Sequence, residues 1–394
     1  MNAHFNIARL PRIEFGSGSL GNLPAILSQY GRRLLIVTGA WSFLVSAHWQ
    51  TLANQLRDMG LSWEMVQVDN EPSPALVDGC VQAFHGRTFD AVVGIGGGSA
   101  LDTAKAIAGL LKPGNSVMDH LEGVGPELPY RGPATPFIAV PTTAGTGSEA
   151  TKNSVLSRHG DGGFKKSFRD EKLVAEYAVV DPDLLANCPP NVLAANGMDA
   201  FTQLLESYVS TKANPFTDAL ALSGMEAIRD GLLPWYEGTD DGATCRGKMA
   251  YAALLSGITL AQAGLGSVHG LAAPLGAFFP IPHGVACGTL LAVATRSNIA
   301  ALRDRAPSSP VLEKYAVVGR LLSRQPLTGA ASHAALLNIL ENWTKRLEIP
   351  RLVNYGMTAD DVPRIVANSR GSSMKTNPIV LDDNEIGQIL RARL

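Results

Sequence analysis

The chain has 394 residues, of which 46% are hydrophobic and only 17% are charged, and its formal net charge is −2. This length exceeds what one ordinary hydrophobic core supports, so we expect two domains. The balanced charge, without a basic stripe, excludes nucleic acid as a partner, and the longest apolar runs, such as 136–141 and 287–295, are too short and too interrupted to predict a membrane span.

Strands and helices alternate through the first half of the chain. Short apolar runs and helical spacing predict strands over 32–39, 62–68, 89–96, 136–141 and 177–180, with helices over 46–59 and 74–86. This alternation is typical of a Rossmann-like parallel sheet with helices on both faces. Residues 157–170 are expected to form a hairpin or a mobile loop.

Strand patterns nearly vanish after Cys188-Pro-Pro190, and segments rich in Ala and Leu continue with helical periodicity to residue 394. We therefore predict a nucleotide-binding α/β domain over residues 1–184. An all-helical domain over residues 185–394 is predicted to bind a metal and the substrate.

Two glycine-rich segments follow predicted strands. Gly96-Gly-Gly-Ser99 opens a helix, where backbone N–H groups and the positive end of the helix dipole bind phosphate groups. An ordinary turn with Ser99 as the helix N-cap is the alternative, and the segment is neither a Walker loop nor a Gly-x-Gly-x-x-Gly motif. The second segment, Thr142–Ser148, follows the next strand, so both are expected to face one crevice and bind a dinucleotide.

Two histidines in the predicted helical domain stand among glycines. His269 and His283, with Asp199 upstream, have the ligand chemistry of a divalent-metal site. Gln203 lies four residues after Asp199, so both side chains share one helix face. For Asp199 and Gln203, the alternative is a pair of solvated polar side chains on a helix surface. For the two histidines, the alternative is a hydrogen-bonded position in the core.

The order and spacing of these motifs, together with Asp181-Pro-Asp-Leu184, resemble the iron-containing (group III) alcohol dehydrogenase family over nearly the whole chain. The resemblance implies the two-domain architecture of that family and of the dehydroquinate synthase-like fold, NAD or NADP as cofactor, a divalent metal and a homodimer. It implies that Asp199, His269 and His283 are the catalytic, metal-binding residues. The residues that it implies for cofactor binding are Gly39, Gly96, Gly97, Gly98, Ser99, Asp102, Thr142, Thr143, Thr146 and Lys165.

Two positions depart from the family pattern. Most members have a third metal-binding histidine where this chain has Gln203, and many have a histidine where it has Ala273. An amide carbonyl is a poorer ligand than imidazole for a borderline metal, so we keep Gln203 as a candidate ligand and expect weakly bound metal. Fe2+ is the metal implied by the family. Zn2+ is the alternative, because the glycerol dehydrogenase type uses one Asp and two His.

At position 39, NAD-specific relatives often carry an aspartate, which would repel the 2′-phosphate of NADP. Gly39 removes that repulsion, so NADPH is expected to be accepted.

The predicted function is that of an NAD(P)-dependent alcohol dehydrogenase that reduces small aldehydes with assistance from the metal. Lys152 and Asn153, with Lys166 and Ser372–Lys375, are candidates for binding an acidic group on the substrate, although lysines on loops are usually solvated. A maleylacetate-reductase-like enzyme without metal and a catalytically impaired nucleotide-binding homologue remain as alternatives.

The cysteines and the first residues predict the compartment. Cys80, Cys188, Cys245 and Cys287 have no paired spacing, so we expect buried free thiols instead of disulfides or a cysteine-rich zinc site. The first ten residues lack the pattern of a secretory signal, which indicates the cytoplasm.

Overall fold

The structure is a computed structural model that describes residues 4–69, 71–160 and 162–394. The chain forms two compact units. The first comprises Ala8–Arg158 and Gly163–Cys188, and the second consists chiefly of Pro189–Leu394. The division after Cys188 lies close to the domain boundary at residue 184 that we drew from the sequence.

The described residues of the first unit form eight strands: β1 (Arg12–Phe15), β2 (Arg33–Gly39), β3 (Ser62–Val68), β4 (Ala91–Gly96), β5 (Phe137–Pro141), β6 (Asn153–Arg158), β7 (Phe164–Arg169) and β8 (Tyr177–Val180). Six of them form a parallel sheet in the order β1-β8-β5-β4-β2-β3. The central strands β4 and β5 are buried along their whole length, as expected of a parallel sheet covered on both faces.

In the part of the chain that the structure describes, four α-helices cover this sheet: α1 (Leu23–Ser28), α2 (Ala47–Asp58), α3 (Pro74–Ala83) and α4 (Gly98–Leu110). Alternate residues of β2 point to opposite faces. Leu34 and Ile36 pack in the core that contains α1 and α2, whereas Leu35 and Val37 pack in the core that contains α3 and α4. The predicted sheet with helices on both faces is therefore confirmed.

Strand β1 was not predicted from the sequence. Its four residues are exposed or half-buried, so it lacks the apolar run that marks a buried strand. It lies at one edge of the sheet, where it pairs with β8 and Ile13 lies opposite Ala178.

Strands β6 and β7 form an antiparallel hairpin, with Leu156 opposite Lys166. Of the two alternatives for residues 157–170, the hairpin is therefore correct, and it begins earlier than expected, at Asn153. Leu156 and Phe168 are fully buried in the core that contains α3 and α4, which holds the hairpin against the rest of the first unit.

The second unit is helical: α5 (Pro190–Val209), α6 (Pro215–Glu237), α7 (Gly242–Ala263), α8 (Ser267–Phe278), α9 (His283–Arg305), α10 (Pro310–Ser323), α11 (Gly329–Arg346), α12 (Val362–Ala367) and α13 (Asp383–Arg391). No strand occurs in Pro189–Leu394, all of which the structure describes. Helix α5 packs against α6, α7 and α9. The all-helical second half is therefore confirmed.

Helix α9 is long and apolar enough to cross a membrane by length and composition, contrary to our expectation from the apolar runs. However, 78% of its most apolar window is buried within the protein. The same composition is typical of the central helix of a folded core.

All four cysteines are free, as expected. Cys245 and Cys287 are buried, but Cys80 and Cys188 are only half-buried, so the expectation of burial was wrong for two of them.

Candidate active site

The two glycine-rich segments contact each other at the ends of β4 and β5. A Cβ atom on Gly98 would lie 2.7 Å from Cγ2 of Thr146, and one on Gly97 would lie 3.2 Å from Oγ1 of Thr143. The absence of side chains at these positions therefore permits the two loops to pack together. The backbone N–H of Thr142 also donates to the carbonyl of Gly96 over 2.9 Å.

Helix α4 begins at Gly98 with Gly97 as its N-cap, and no side chain caps it. Ser99 is therefore not the N-cap of this helix, whereas an ordinary turn without cofactor remains the alternative. A helix N-terminus without a side-chain cap offers backbone N–H groups to an anion. This geometry suits the phosphates of a dinucleotide.

Gly39 ends β2 beside this loop. A Cβ atom on Gly96 would lie 3.3 Å from the Gly39 nitrogen, and a Cβ atom on Gly39 itself would meet no heavy atom within 4 Å. The position thus lies next to the glycine-rich loop and has space for a side chain.

Asp102 was predicted to contact the cofactor, but its carboxylate hydrogen-bonds to other protein groups. Oδ1 accepts from the Ser148 hydroxyl over 2.5 Å and Oδ2 accepts from the Val155 backbone over 3.0 Å. Burial raises the pKa of Asp102, partly offset by Lys105. These bonds join α4 to the segment that follows β5.

Lys105, which sequence reasoning left without a role, has a fully buried side chain. Its ammonium group donates to the carbonyls of Ser148 and Asn153 over 2.8 and 2.7 Å. Burial lowers the pKa of Lys105 to about 8. This lysine therefore holds the second glycine-rich loop against α4.

The other lysines proposed for binding are ion-paired. The Lys165 ammonium lies 2.8 Å from Glu71 Oε1, and that of Lys152 lies 2.5 Å from Glu171 Oε1. Asn153 is half-buried at the start of β6. Roles for Lys152 and Asn153 with substrate, and for Lys165 with cofactor, stay predictions.

Three helices of the second unit bring the predicted metal ligands together. Asp199 lies in the middle of α5, His269 in the first turn of α8 and His283 at the first residue of α9. Asp199 Oδ1 lies 3.2 Å from His269 Nε2 and 3.7 Å from His283 Nε2. Cys287 joins them, and the ligand atoms of the four residues all lie within 4.8 Å of one another.

Glycines beside the histidines permit this convergence. A Cβ atom on Gly284 would lie 2.6 Å from the Ala195 carbonyl oxygen, so glycine lets the start of α9 approach α5. A Cβ atom on Gly266 would lie 2.9 Å from Glu206 Oε1. Glycine at position 266 therefore lets the Glu206 carboxylate reach the start of α8.

Glu206 holds His269 in position. Its Oε2 lies 2.7 Å from Nδ1 of His269, and its Oε1 accepts from the Val268 backbone N–H over 2.7 Å. A carboxylate at Nδ1 keeps a proton on that nitrogen, which makes Nε2 the nitrogen that would bind a metal. This arrangement is typical of metal-binding histidines.

Electrostatic interactions keep Asp199 ionised. Burial raises its pKa, but His283 and His269 outweigh that effect and bring the pKa to about 2. Burial lowers the pKa of His269, whereas Cys287, Asp199 and Glu206 together raise it well above its ordinary value. The site therefore has a strong affinity for positive charge.

Gln203 lies one turn after Asp199 on α5, as predicted, and is buried. Its Oε1 atom accepts a hydrogen bond from the Ser256 hydroxyl over 2.7 Å. The only atom of Gln203 suited to bind a metal is therefore already engaged with α7, and its assignment as a ligand stays a prediction.

The residues present fit a divalent metal. Asp199 Oδ2 is buried and accepts no hydrogen bond, which is costly for a carboxylate oxygen unless a cation pairs with it. A tetrahedral ion with bonds of about 2.1 Å separates oxygen and nitrogen ligands by about 3.4 Å, and the two Asp199–histidine distances lie on either side of that value.

Sequence reasoning missed Glu206 and Cys287. Spacing could have found both, because Glu206 follows Asp199 by seven residues and Cys287 follows His283 by four, each on the same helix face as the predicted ligand. Cys287 lies within the apolar run 287–295, and that pattern predicts a buried thiol without showing which groups the thiol contacts.

The chain is similar to a family of enzymes over most of its length. The family model described as iron-containing alcohol dehydrogenase matches residues 11–182, and that of the Fe-containing alcohol dehydrogenase family, C-terminal, matches residues 193–394. The chain is 30% identical to an NAD-dependent methanol dehydrogenase of Bacillus methanolicus over 98% of each chain. It is 31% identical to an NADPH-dependent butanol dehydrogenase of Clostridium saccharobutylicum over 88% of this chain and 86% of that one.

Solved structures also resemble the chain in fold. The crystal structure of a 1,3-propanediol oxidoreductase superposes on the chain with a TM-score of 0.89 and 27% identity, covering 100% of both chains.

Proposed function

The chain belongs to the iron-containing alcohol dehydrogenase family and acts with NAD(P) on small alcohols and aldehydes, and we propose that Asp199, His269 and His283 hold its catalytic metal. The observation that carries this proposal is the convergence of these three side chains with a buried carboxylate oxygen that no protein group pairs. A divalent metal bound there supplies a Lewis acid for the oxygen of the substrate.

Groups of the protein orient the proposed metal ligands and keep the aspartate ionised. Asp199 stays a carboxylate at neutral pH because its pKa is about 2. Glu206 fixes the ring of His269. The His283 side chain is 29% exposed, more than the 6% of His269 and the 1% of Asp199, so the site opens to substrate at His283.

The nucleotide is proposed to bind at the two glycine-rich loops, with its phosphates at the N-terminus of α4 and the nicotinamide as the hydride carrier. Ala273, one turn after His269, offers no group that exchanges protons. The proton of the alcohol then passes through solvent or a ribose hydroxyl of the cofactor.

NADPH is proposed as an accepted cofactor because Gly39 carries no charge that repels a 2′-phosphate and the space beside it is open. An acidic group on the substrate remains part of the proposal, with Lys152 and Asn153 as its candidates. Lys152 would have to exchange its partner Glu171 for that group.

Elemental analysis of the purified protein, combined with a screen of aldehydes and alcohols against both nucleotides, tests the function. We expect bound divalent metal, turnover with NADH or NADPH, and loss of turnover after chelation that added metal restores. Turnover that survives complete removal of metal would support the metal-free reductase. No turnover with either nucleotide would support the catalytically impaired homologue.

A homodimer in the cytoplasm is proposed on two observations. Ile13 and Phe15 are 41% and 43% exposed on β1, at the edge of the sheet, and exposed edges of this kind pair with a second chain. The four cysteines are free, as expected in a reducing compartment. Analytical ultracentrifugation and cell fractionation test the two statements.

A further inference from the structure

Cys287 has no part in the ligand set that the family resemblance implies, yet its sulfur lies among the three proposed ligands. Sγ is 3.6 Å from Nε2 of His269 and 3.8 Å from Nε2 of His283. Its side chain is fully buried. The second observation is Asp199 Oδ2, a buried carboxylate oxygen in the same cluster that accepts no hydrogen bond.

The spacing matches metal coordination. An ion that binds nitrogen at about 2.05 Å and sulfur at about 2.3 Å in tetrahedral geometry separates the two atoms by about 3.6 Å. The two distances in the structure, 3.6 and 3.8 Å, lie at or close to this value. His283 and Cys287 reach the ion together because they are four residues apart on α9.

We propose that Cys287 is the fourth protein ligand of the metal, so that this chain binds it with one aspartate, two histidines and one thiolate, and that the metal would accept the substrate oxygen by expanding to five-coordinate geometry. This inference rests on the proposed metal-binding function. Gln203, which stands where most family members have a histidine, is held by Ser256, and Cys287 supplies the fourth ligand from α9 instead.

A thiolate changes which metal the site prefers. Sulfur is a soft ligand that favours zinc over the harder ions, whereas the family is named for iron. The thiol gives its proton to solvent when its sulfur binds the metal. We therefore expect the intact protein to bind Zn2+ in preference to Fe2+, and a variant without this sulfur to lose part of that preference.

Cobalt(II) is the probe for the test, since it replaces zinc and reports thiolate ligands by a charge-transfer band in the near ultraviolet. The Co2+-loaded protein is expected to show this band, and X-ray absorption of the Zn2+-loaded protein to show a sulfur neighbour at about 2.3 Å. Cys287→Ser should abolish both signals and raise the dissociation constant for Zn2+ at least tenfold, because even residues that only hydrogen-bond to ligands change affinity by about 10- to 100-fold.

Two matched variants complete the design. Cys245→Ser removes another buried free thiol, on α7, and should leave both sulfur signals intact. Gln203→Ala should do the same, since the proposal gives Gln203 no bond to the metal.

A coordination shell of nitrogen and oxygen alone in the unmutated protein overturns the proposal, as does failure to bind Co2+ or Zn2+. These spectra need no variant, so they decide the question even if Cys287→Ser does not fold. Turnover with NAD(P)H is measured separately. A sulfur-free shell in an active, metal-dependent enzyme refutes Cys287 and leaves the proposed function intact, whereas a sulfur-bound metal in a protein without turnover refutes the function alone.

Discussion

Replacing Glu206 with glutamine tests how the protein prepares His269 to bind a metal. The carboxylate accepts from two donors at once, the Nδ1–H of His269 and the Val268 N–H, each over 2.7 Å. A glutamine side chain has one carbonyl oxygen and one NH2 group, so it can accept from only one of the two donors at these positions.

Either orientation of the glutamine carries a cost. If its oxygen stays on His269, the buried Val268 N–H loses its acceptor, and hydrogen bonds to charged groups contribute about 1.5–3 kcal/mol. If its NH2 group faces Nδ1, the ring proton moves to Nε2, which then cannot bind a metal in that tautomer. We expect the Glu206→Gln variant to bind Zn2+ about 10- to 100-fold more weakly, which corresponds to about 1.4–2.7 kcal/mol.

Competition with a chelator measures the metal affinity, and aldehyde-dependent oxidation of NADPH measures turnover at saturating metal. Binding of NADPH to the apoprotein is the control and should not change, because the glycine-rich loops belong to the first unit. Unaltered metal affinity in a folded Glu206→Gln protein would refute the role given to this carboxylate.

Three further predictions concern the metal, the nucleotide and the pH dependence of stability. His269→Ala should lower kcat by about 10²-fold or more, as expected when electrostatic stabilisation of the reacting oxygen is lost, with NADPH binding nearly unchanged in a fluorescence titration. Gly39→Asp should shift the ratio of kcat/KM for NADPH and NADH toward NADH, because the new carboxylate repels the 2′-phosphate. Glu149 directly follows the second glycine-rich segment, Thr142–Ser148, and is buried. Burial raises the pKa of Glu149 from 4.5 to about 7, so its contribution to stability is complete below pH 4.5 and is lost as the pH rises through 7. Glu149→Gln should therefore be more stable than the parent at pH 8, by on the order of 3 kcal/mol in urea unfolding, with little difference at pH 4.

Each of these predictions has a result that contradicts it. Near-normal turnover of His269→Ala on a verified substrate would favour the metal-free reductase. Strict use of NADH by the unmutated protein would contradict the interpretation of Gly39. A stability difference between Glu149→Gln and the parent that does not depend on pH would show that Glu149 has an ordinary pKa in the folded chain.

The sequence by itself determined the fold class and the predicted ligands. Apolar runs such as 34–37 and 91–95 identify buried parallel strands because both faces of such a sheet are covered. Edge strand β1 escaped prediction, since an exposed strand needs no apolar pattern. Asp199, His269 and His283 were recognisable by residue type and by the glycines around them.

Only the tertiary structure decided which polar groups meet. Asp102 and Lys105 appeared beside the glycine-rich loop in the sequence, but their buried side chains hold Ser148 and the chain around it. Glu206 and Cys287 lie far from His269 in sequence and reach it because α5, α8 and α9 pack closely at glycines 266 and 284. Local patterns report which face of an element is buried, whereas the partner of a buried polar side chain is set by how separate elements pack.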